Sequence, residues 1–319
     1  IMSSDWSSDV CSSDLETARF WLGRAERDGE RLFLPQASGP DEFHTVADAS
    51  AYVHHLAAWN LQAADRAVQH LRQRAPDRLA ALCETTGVGA WELAAFADAA
   101  DRLDDMQRAD GVFEQCRGFF GLRDEIDPDH GGPRPFETQC VKQADVLMML
   151  YLAGDRFDRD TLRANYDYYE PRTVHASSLS HAVHGRIAGG IRRRHHAAGS
   201  VRPALGMDLD DEMHNAAQGI HMAANGMNWQ AVVRGFGGAW PRGDRFAVRP
   251  RLPEDWEALS FTMLWRGAEL RIRVAPGTVT VENASAARAT ARLTLCGQDL
   301  ELAPGASASA AWSREEPRP

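Results

Sequence analysis

Two adjacent carboxylates, Asp41 and Glu42, follow a Gly-Pro pair in the segment GPDEFH, Gly39 to His44. Gly-Pro favours a turn, and a long apolar-periodic segment begins soon afterwards, so either carboxylate could stabilise the start of a helix. Alternatively, a carboxyl group beside Phe43 and other apolar groups would hold its proton tightly and could act as a general acid. Spacing alone leaves both interpretations open.

Lys142 and Gln143 open an apolar segment that is predicted to be helical as far as Leu152. Lysine and glutamine at a helix start commonly lie on the solvated face. Their ammonium and amide groups could equally donate several hydrogen bonds to sugar hydroxyls. The pair is therefore a candidate sugar-binding site.

Ser177 and Ser178 follow a tyrosine-rich segment and precede a helix that is predicted to begin near Leu179. Serine is common at helix N-caps, so a structural interpretation is available. The helix N-terminus would also suit an anion, because it offers two hydroxyls, free N–H groups and the nearby His175. Phosphate is the obvious candidate ligand.

Gly219 and His221 lie inside a segment that is predicted to be helical from Asp211 to Phe236. Glycine in a helix interior costs about 1 kcal/mol, which usually marks close packing or close approach of a ligand. His221 alone would also fit a hydrogen-bonded core histidine. Among the twelve histidines, no carboxylate or cysteine stands at a convincing ligand spacing, so we expect no metal site and no cofactor.

Composition limits the classes of partner. Acidic residues outnumber basic ones by 45 to 35, and the formal net charge of −10 argues against a general binder of nucleic acid or of membrane surfaces. No window approaches the roughly 20 apolar residues of a membrane span. Five scattered cysteines without CxxC spacing indicate free thiols in a reducing compartment, so we expect a cytoplasmic protein.

Helical patterns extend from Glu16 to about Phe236, and short segments with period-two alternation follow. We therefore predict a mainly α protein with a small antiparallel β domain after the helices. A loop rich in Pro and Gly is predicted at 124–135. The predicted helices are 51–71, 91–106, 143–152, 159–168, 179–196 and 211–236, and the predicted strands are 246–248, 260–265, 268–274, 278–282 and 291–296.

The first fifteen residues, Ile1 to Leu15, differ from the rest because they show neither a helical nor a strand period. They also lack the features of a signal peptide. The string DWSSDVCSSDL resembles translated sequencing-adapter DNA, so we interpret this segment as an artefactual tail. The predicted domains are the tail at 1–15, a helical domain at 16–240, a β domain at 241–313 and a frayed end at 314–319.

Five collinear segments resemble glycoside hydrolase family 65, the family of maltose, trehalose and kojibiose phosphorylases. They are ETARFW (Glu16 to Trp21), GPDEFH (Gly39 to His44), KQADV (Lys142 to Val146), YYEPRTVHASSLS (Tyr168 to Ser180) and GIHMAANGMNWQAVVRGF (Gly219 to Phe236). The resemblance implies the C-terminal portion of an (α/α)6-barrel catalytic domain followed by a small antiparallel β-sandwich. It also implies that the chain is cut from a longer protein, and that a homodimer is expected.

The resemblance further implies an enzyme and its reaction. Glu42 would be the general acid of an inverting phosphorolysis that converts an α-glucosidic disaccharide and inorganic phosphate into β-glucose 1-phosphate and an acceptor sugar. Phosphate would be the nucleophile, so no protein base is needed. The implied phosphate-binding residues are Ser177, Ser178 and His221, and the candidate substrate-binding residues are Lys142, Gln143, Glu170 and His175.

Three alternatives stay open. An inverting α-glucoside hydrolase would use an activated water, and Glu170 is its nearest candidate base. Ala176 stands where the family usually has Asp or Glu before SSLS, which bears on the strength of the phosphate pocket. A chain with half a barrel would be a non-catalytic fragment. A helical scaffold is a third reading, against which the clustered acid, sugar-type and anion-type motifs argue.

Overall fold

The computed structural model describes residues 8–124, 137–191, 193–286 and 289–313. The chain divides into two compact units, Ile1–Ala176 and Ser177–Pro319. Most of the predicted loop at 124–135 and the whole predicted frayed end at 314–319 lie outside the described residues. Within the described ranges, every helix is too short or too polar to cross a membrane.

The first unit consists of helices and one two-stranded hairpin. Its elements are α1 (Ser8–Arg24), β1 (Glu26–Asp28), β2 (Arg31–Phe33), α2 (Ala51–Arg74), α3 (Pro76–Thr86), α4 (Ala90–Arg102), α5 (Val146–Leu152) and α6 (Arg159–Tyr169). Helix α2 begins where the Ser50 hydroxyl accepts a hydrogen bond from the Val53 N–H at 3.4 Å. Helix α6 begins where the Asp158 carboxylate accepts one from the Thr161 N–H at 2.8 Å. Both starts are N-caps of the kind that Ser and Asp favour.

The core of the first unit explains why these segments are helical. Leu61 and Val68 recur at helical spacing on α2 and pack with Leu93 and Phe96 of α4 in one buried cluster. Helix α5 has only seven residues, but five of them are buried. The three residues just before this apolar helix, Gln143 to Asp145, are buried as well.

Two sequence predictions for the first unit are wrong in detail. Helix α1 begins at Ser8, so residues 8–15 are helical although their sequence shows no helical period. Leu15 is 2 % exposed and joins the core, which the surrounding Ser and Asp residues obscure in the sequence. Helix α3 is an unpredicted element, although Pro76 at its first turn and Gly87 at φ +67° after its end are typical helix boundaries.

The helices of the second unit differ from the prediction. They are α7 (Ser180–Gly190), α8 (Arg194–Gly206), a π-helix at Met207–Asp211, a 3-10 turn at Ala216–Gln218, α9 (Met222–Gln230) and a π-helix at Ala231–Phe236. The predicted helix 179–196 is therefore two helices, and the predicted helix 211–236 is wrong between 212 and 221. Gly219 has φ +140°, which glycine adopts readily and a helix excludes. Its role is thus a turn before α9, not a helix interior.

Two four-stranded sheets follow among the described residues. The strands are β3 (Ala239–Arg242), β4 (Arg245–Val248), β5 (Leu259–Trp265), β6 (Ala268–Ala275), β7 (Thr278–Asn283), β8 (Ala291–Leu295), β9 (Gln298–Leu302) and β10 (Ser307–Ala311). The sheet orders are β10-β7-β6-β5 and β3-β4-β8-β9. Leu270 and Ile272 from the first sheet share one buried cluster with Phe246 and Leu293 from the second, as in a sandwich.

All five predicted strands are present, and β3, β9 and β10 are additional. The prediction of a wholly antiparallel domain is wrong at one pair, because β4 runs parallel to β8 through Phe246–Leu293 and Val248–Leu295. The chain completes β5, β6 and β7 between these two strands and then returns beside β4 in the same direction. The additional strands contain no Val, Ile or Thr, whereas β7 opens with four such residues in a row, Thr278 to Val281.

Candidate active site

Asp41 is the centre of a buried hydrogen-bond network in the first unit. Its Oδ1 accepts hydrogen bonds from the backbone N–H groups of Lys142 at 2.8 Å and of Phe43 at 3.2 Å. Its Oδ2 accepts one from Nε2 of Gln115 at 2.8 Å and lies 2.6 Å from Nδ1 of His44. The residue is 1 % exposed, so these four donors, and not water, satisfy its carboxylate.

Glu42 has the opposite environment. Its side chain is 60 % exposed, and its Oε2 lies 2.6 Å from Nζ of Lys142. Helix α2 is capped by Ser50, so neither Glu42 nor Asp41 caps it, and the helix-entry interpretation of this acidic pair is wrong. Of the two carboxylates, Glu42 is the one that a ligand can reach.

Gln143, in the KQADV segment, is hydrogen-bonded to the turn that carries Glu42. Its Nε2 donates a hydrogen bond to the carbonyl oxygen of Pro40, and the residue is 8 % exposed. Its Oε1 is buried and accepts no hydrogen bond from the described residues. Helix α5 begins at Val146, so Lys142 and Gln143 precede the helix and do not lie on its solvated face.

Backbone pairing places His175 alongside Lys142. The Val174 N–H donates to the Val141 carbonyl at 2.9 Å, and the Ala176 N–H donates to the Lys142 carbonyl at 3.1 Å. His175 stands between these two bonds with φ +57°, an uncommon conformation for a residue other than glycine. Glu170 opens a short 3-10 turn directly after α6. The first unit thus gathers Glu42, Lys142 and Gln143, with His175 on the adjacent segment.

Asp145 lies beneath the turn. Its Oδ2 accepts a hydrogen bond from the Asp41 N–H at 3.1 Å, and it is 3 % exposed. Burial is the main cause that raises its pKa to about 8, and the nearby Asp41 carboxylate adds to the rise, while the hydrogen bond from Asp41 opposes it. A Cβ atom at Gly39 would lie 2.1 Å from the same Oδ2. Only glycine therefore fits at position 39.

The second unit contains the serine pair at the start of α7. The Ser177 carbonyl accepts a hydrogen bond from the Ser180 N–H at 3.1 Å, and its Oγ accepts one from the Leu179 N–H at 3.4 Å. Helix α7 begins at Ser180, after Leu179, so neither Ser177 nor Ser178 is its N-cap. Both serines are half-buried, which leaves their hydroxyl groups within reach of a ligand.

His221 precedes α9 and is held by Asp208. Its Nδ1 lies 2.6 Å from Oδ1 of Asp208, and its backbone N–H points at the same carboxylate at 3.1 and 3.2 Å. Asn225 donates to Oδ2 of Asp208 at 2.8 Å. The hydrogen bond from His221 is the largest cause that lowers the pKa of Asp208. With Nδ1 committed to Asp208, Nε2 is the ring nitrogen that can donate to a bound anion.

Sequence reasoning missed the residues that orient the candidates. Asp145 stands within the KQADV segment, so the motif itself was a signal. Asp208 is thirteen residues from His221 and belongs to no quoted motif, and only the folded chain brings them together. Gln115 likewise meets Asp41 from a distant part of the chain.

Comparison with known proteins agrees with this architecture. The model for the glycosyl hydrolase family 65 central catalytic domain matches residues 11–230, and the model for the family 65 C-terminal domain matches residues 240–302. A solved structure described as a candidate kojibiose phosphorylase from the human microbiome superposes with a TM-score of 0.85 at 26 % identity. That match covers 97 % of this chain and 46 % of the solved chain.

Curated relatives carry related names. A kojibiose phosphorylase from Caldanaerobacter subterraneus is 32 % identical over 90 % of this chain and 39 % of its own length. A 1,2-alpha-glucosylglycerol phosphorylase from Bacillus selenitireducens is 33 % identical over 90 % of this chain and 40 % of its own. The chain therefore spans about two fifths of the length of these relatives. Since the central-domain model alone covers more than half of the chain, the chain belongs to glycosyl hydrolase family 65.

Proposed function

We propose that the protein catalyses the inverting phosphorolysis of an α-glucosidic disaccharide, with Glu42 as general acid and inorganic phosphate as nucleophile. The observation that carries the proposal is the pair formed by Glu42 and Lys142, whose Oε2 and Nζ lie 2.6 Å apart at an accessible position on a buried scaffold. The names of the curated relatives, which include kojibiose, 1,2-alpha-glucosylglycerol and trehalose phosphorylases, support this reaction class.

The acid step assigns a part to each member of the pair. Glu42 transfers its proton to the glycosidic oxygen as the bond from that oxygen to C1 breaks, and the acceptor sugar leaves as a neutral alcohol. Glu42 is then a carboxylate, and the Lys142 ammonium stabilises the charge that has just formed. The reverse synthesis uses the same pair, with the Glu42 carboxylate accepting the proton of the acceptor hydroxyl.

The phosphate step is assigned to the second unit. An oxygen of phosphate attacks C1 from the face opposite to the leaving group and forms the C1–O–P linkage of β-glucose 1-phosphate. Ser177 and Ser178 donate hydroxyl hydrogen bonds to phosphate, and His221 donates from Nε2. Asp208 holds Nδ1 of the imidazole and so keeps the ring oriented with Nε2 available to phosphate.

The remaining substrate contacts are proposed from the geometry around the turn. The Oε1 atom of Gln143 is a buried acceptor without a partner in the described chain, so a glucosyl hydroxyl that donates to it would satisfy it. Glu170 and His175 are proposed as further substrate-binding residues. We further propose that the helices of both units belong to an (α/α)6 barrel, which the match to the family's central catalytic domain supports.

Product analysis tests the proposal. The chain is incubated with kojibiose, trehalose or 1,2-α-glucosylglycerol, with and without phosphate, and the anomers are followed by NMR. Phosphate-dependent formation of β-glucose 1-phosphate is expected from one or more of them. Glucose release that needs no phosphate would point to a hydrolase instead. Glu42→Gln should abolish the signal, whereas Glu84→Gln, which changes an exposed glutamate on α3, should preserve it.

A further inference from the structure

We propose that Asp145 is a positioning residue for Glu42, and that it works as a neutral carboxylic acid under the turn Gly39 to Asp41. The inference rests on the proposed function, because it assigns the residue that holds the general acid in place. It concerns a side chain that touches neither the leaving group nor phosphate. Its effect on the reaction is therefore indirect, through the backbone that carries Glu42.

The contacts of Asp145 are with the backbone of the turn. Its Oδ2 accepts the N–H of Asp41, the residue directly before Glu42, at 3.1 Å. The same oxygen fills the space that a side chain at Gly39 would need. Gln143, two residues earlier, holds the Pro40 carbonyl from the other end of the same segment. Three consecutive residues of the turn are thus fixed by two side chains of one segment.

Asp41 and Asp145 differ in the number of hydrogen-bond donors that face their carboxyl groups. Asp41 has four donors, including the ring of His44, whose second nitrogen lies 3.0 Å from the Thr138 carbonyl. Asp145 has one donor, and its Oδ1 has no hydrogen-bond partner in the described residues. A buried carboxylate with so little support costs far more free energy than a neutral carboxyl group at the same position.

The titratable groups that act on Asp145 point the same way. Asp41 on the turn adds to the rise in the pKa of Asp145, and a negative charge on Asp145 would in turn raise the pKa of Tyr52 on α2, Cys116 on the segment after α4 and Tyr169 on α6. Each of these groups is an acid, so none can offer a positive charge to an ionised Asp145. Burial accordingly raises the pKa of Asp145 to about 8. Ionisation would place a second negative charge beside Asp41 inside the unit and would displace the backbone before Glu42.

The direct test compares two matched substitutions across pH. Asp145→Asn keeps the acceptor for the Asp41 N–H and cannot ionise, and Asp41→Asn makes the same change on the neighbouring buried carboxyl. For the wild type we expect kcat to fall about tenfold from pH 7 to pH 9, as a group with a pKa of about 8 loses its proton. Asp145→Asn should retain at least about a third of kcat at pH 7 and change less than about twofold up to pH 9.

The control should behave in the opposite way. Asp41→Asn removes the charge that four donors require, so it should lose most activity at every pH. Two results would overturn the proposal. One is a fall in kcat from pH 7 to pH 9 that is as steep in Asp145→Asn as in the wild type. The other is an active Asp41→Asn protein together with an inactive Asp145→Asn protein. The second result would mean that Asp145 is the charged carboxylate and Asp41 the neutral carboxyl group.

A stability measurement separates this inference from the proposed function. If no disaccharide gives glucose 1-phosphate, the proposed function fails, but Asp145 still has a thermal signature. A carboxyl whose pKa is raised by folding stabilises the fold fully below its unfolded pKa of about 4, and this is lost as pH rises to about 8. The midpoint of wild-type unfolding should therefore fall more steeply from pH 6 to pH 9 than that of Asp145→Asn. Parallel curves would refute a neutral Asp145.

Discussion

Asp41 and Glu42 are neighbours in sequence, yet the Asp41 side chain is fully buried while the Glu42 side chain is 60 % exposed. The two adjacent carboxylates therefore have different roles, one inside the fold and one at its surface. Asp41 gathers Lys142, Gln115 and His44 around one buried carboxylate, and this scaffold presents Glu42 beside the Lys142 ammonium.

Asp208→Asn should weaken phosphate binding through His221. The Asp208 carboxylate lies 2.6 Å from Nδ1 of His221, and a hydrogen bond to a charged group contributes about 1.5–3 kcal/mol. We expect the KM for phosphate to rise about tenfold or more, with the KM for the disaccharide changed less than about twofold. Initial rates over a matrix of the two substrate concentrations measure both constants.

The matched control for this prediction is Asp210→Asn, which removes a carboxylate from an exposed position on the same π-helix. It should leave the KM for phosphate within about twofold of the wild type, because unsupported surface charges contribute little. If Asp208→Asn instead raised both KM values equally, Asp208 would have no selective part in binding phosphate.

Gly39→Ala should destabilise the turn. The new Cβ would lie 2.1 Å from Oδ2 of Asp145, a distance that forces the buried carboxyl or the backbone to move. Overpacking of this kind costs about 1–3 kcal/mol, so we expect a lower free energy of unfolding by that amount and a loss of phosphorolysis. Chemical denaturation and initial rates test the two effects separately.

Gly199→Ala is the corresponding control. A Cβ at Gly199 meets no atom within 4 Å, and the position is exposed in the interior of α8. Alanine there should stabilise the chain by about 0.5–1 kcal/mol, because it favours the helix. A Gly39→Ala protein that is as stable and active as Gly199→Ala would show that the turn is not tightly packed.

His54 should make the first unit sensitive to mild acid. Its Nε2 accepts the Leu34 N–H at 2.9 Å, and its Nδ1–H donates to the Asp104 carbonyl at 2.8 Å, so the buried ring is neutral. Burial lowers the pKa of His54, and the hydrogen bond to Asp104 opposes this only in part. In the unfolded chain His54 therefore binds a proton near pH 6.5, whereas in the folded chain it stays unprotonated at that pH. The free energy of unfolding falls as the pH drops below that value.

Urea unfolding at pH 7.5 and pH 5.5 measures this loss. His54→Ala should cost about 2–3 kcal/mol at pH 7.5, because it leaves the Leu34 N–H buried without an acceptor, and it should also flatten the pH dependence. His70→Ala, at an exposed position on the same helix, should change neither quantity. An unchanged slope in His54→Ala would assign the acid sensitivity to another group.

The parts of the fold that the sequence predicts well are those with a strong local period. Helix α2 has apolar residues at helical spacing, and β6 alternates buried and more exposed residues along its whole length. The predictions fail where tertiary contacts decide. Gly219, with its positive φ, interrupts a segment that was predicted to be one helix. Leu15 is buried although the residues around it are polar. Strand β8 pairs in parallel with β4, from which three strands separate it in the sequence.

The site divides in the same way. Glu42, Lys142 and Gln143 could be selected from residue types and motif spacing, and the structure brings these three together. The sequence could not show which of Asp41 and Glu42 is buried, because adjacent residues share the same local signals. Asp208 could not be selected at all, since its meeting with His221 depends on the π-helix and the turn that separate them.

A substrate whose leaving group needs no proton gives the most direct test of Glu42 as the general acid. Fluoride departs from α-glucosyl fluoride without acid catalysis, whereas the acceptor sugar of a disaccharide needs a proton. Comparing the two substrates therefore isolates proton donation by Glu42 from the other steps of the reaction. If Glu42 is the general acid, Glu42→Gln lowers disaccharide phosphorolysis by about 10²–10⁴-fold, while phosphate-dependent fluoride release stays within about tenfold of the wild type. An equal loss with both substrates, or full activity with the disaccharide, would contradict Glu42 as the general acid.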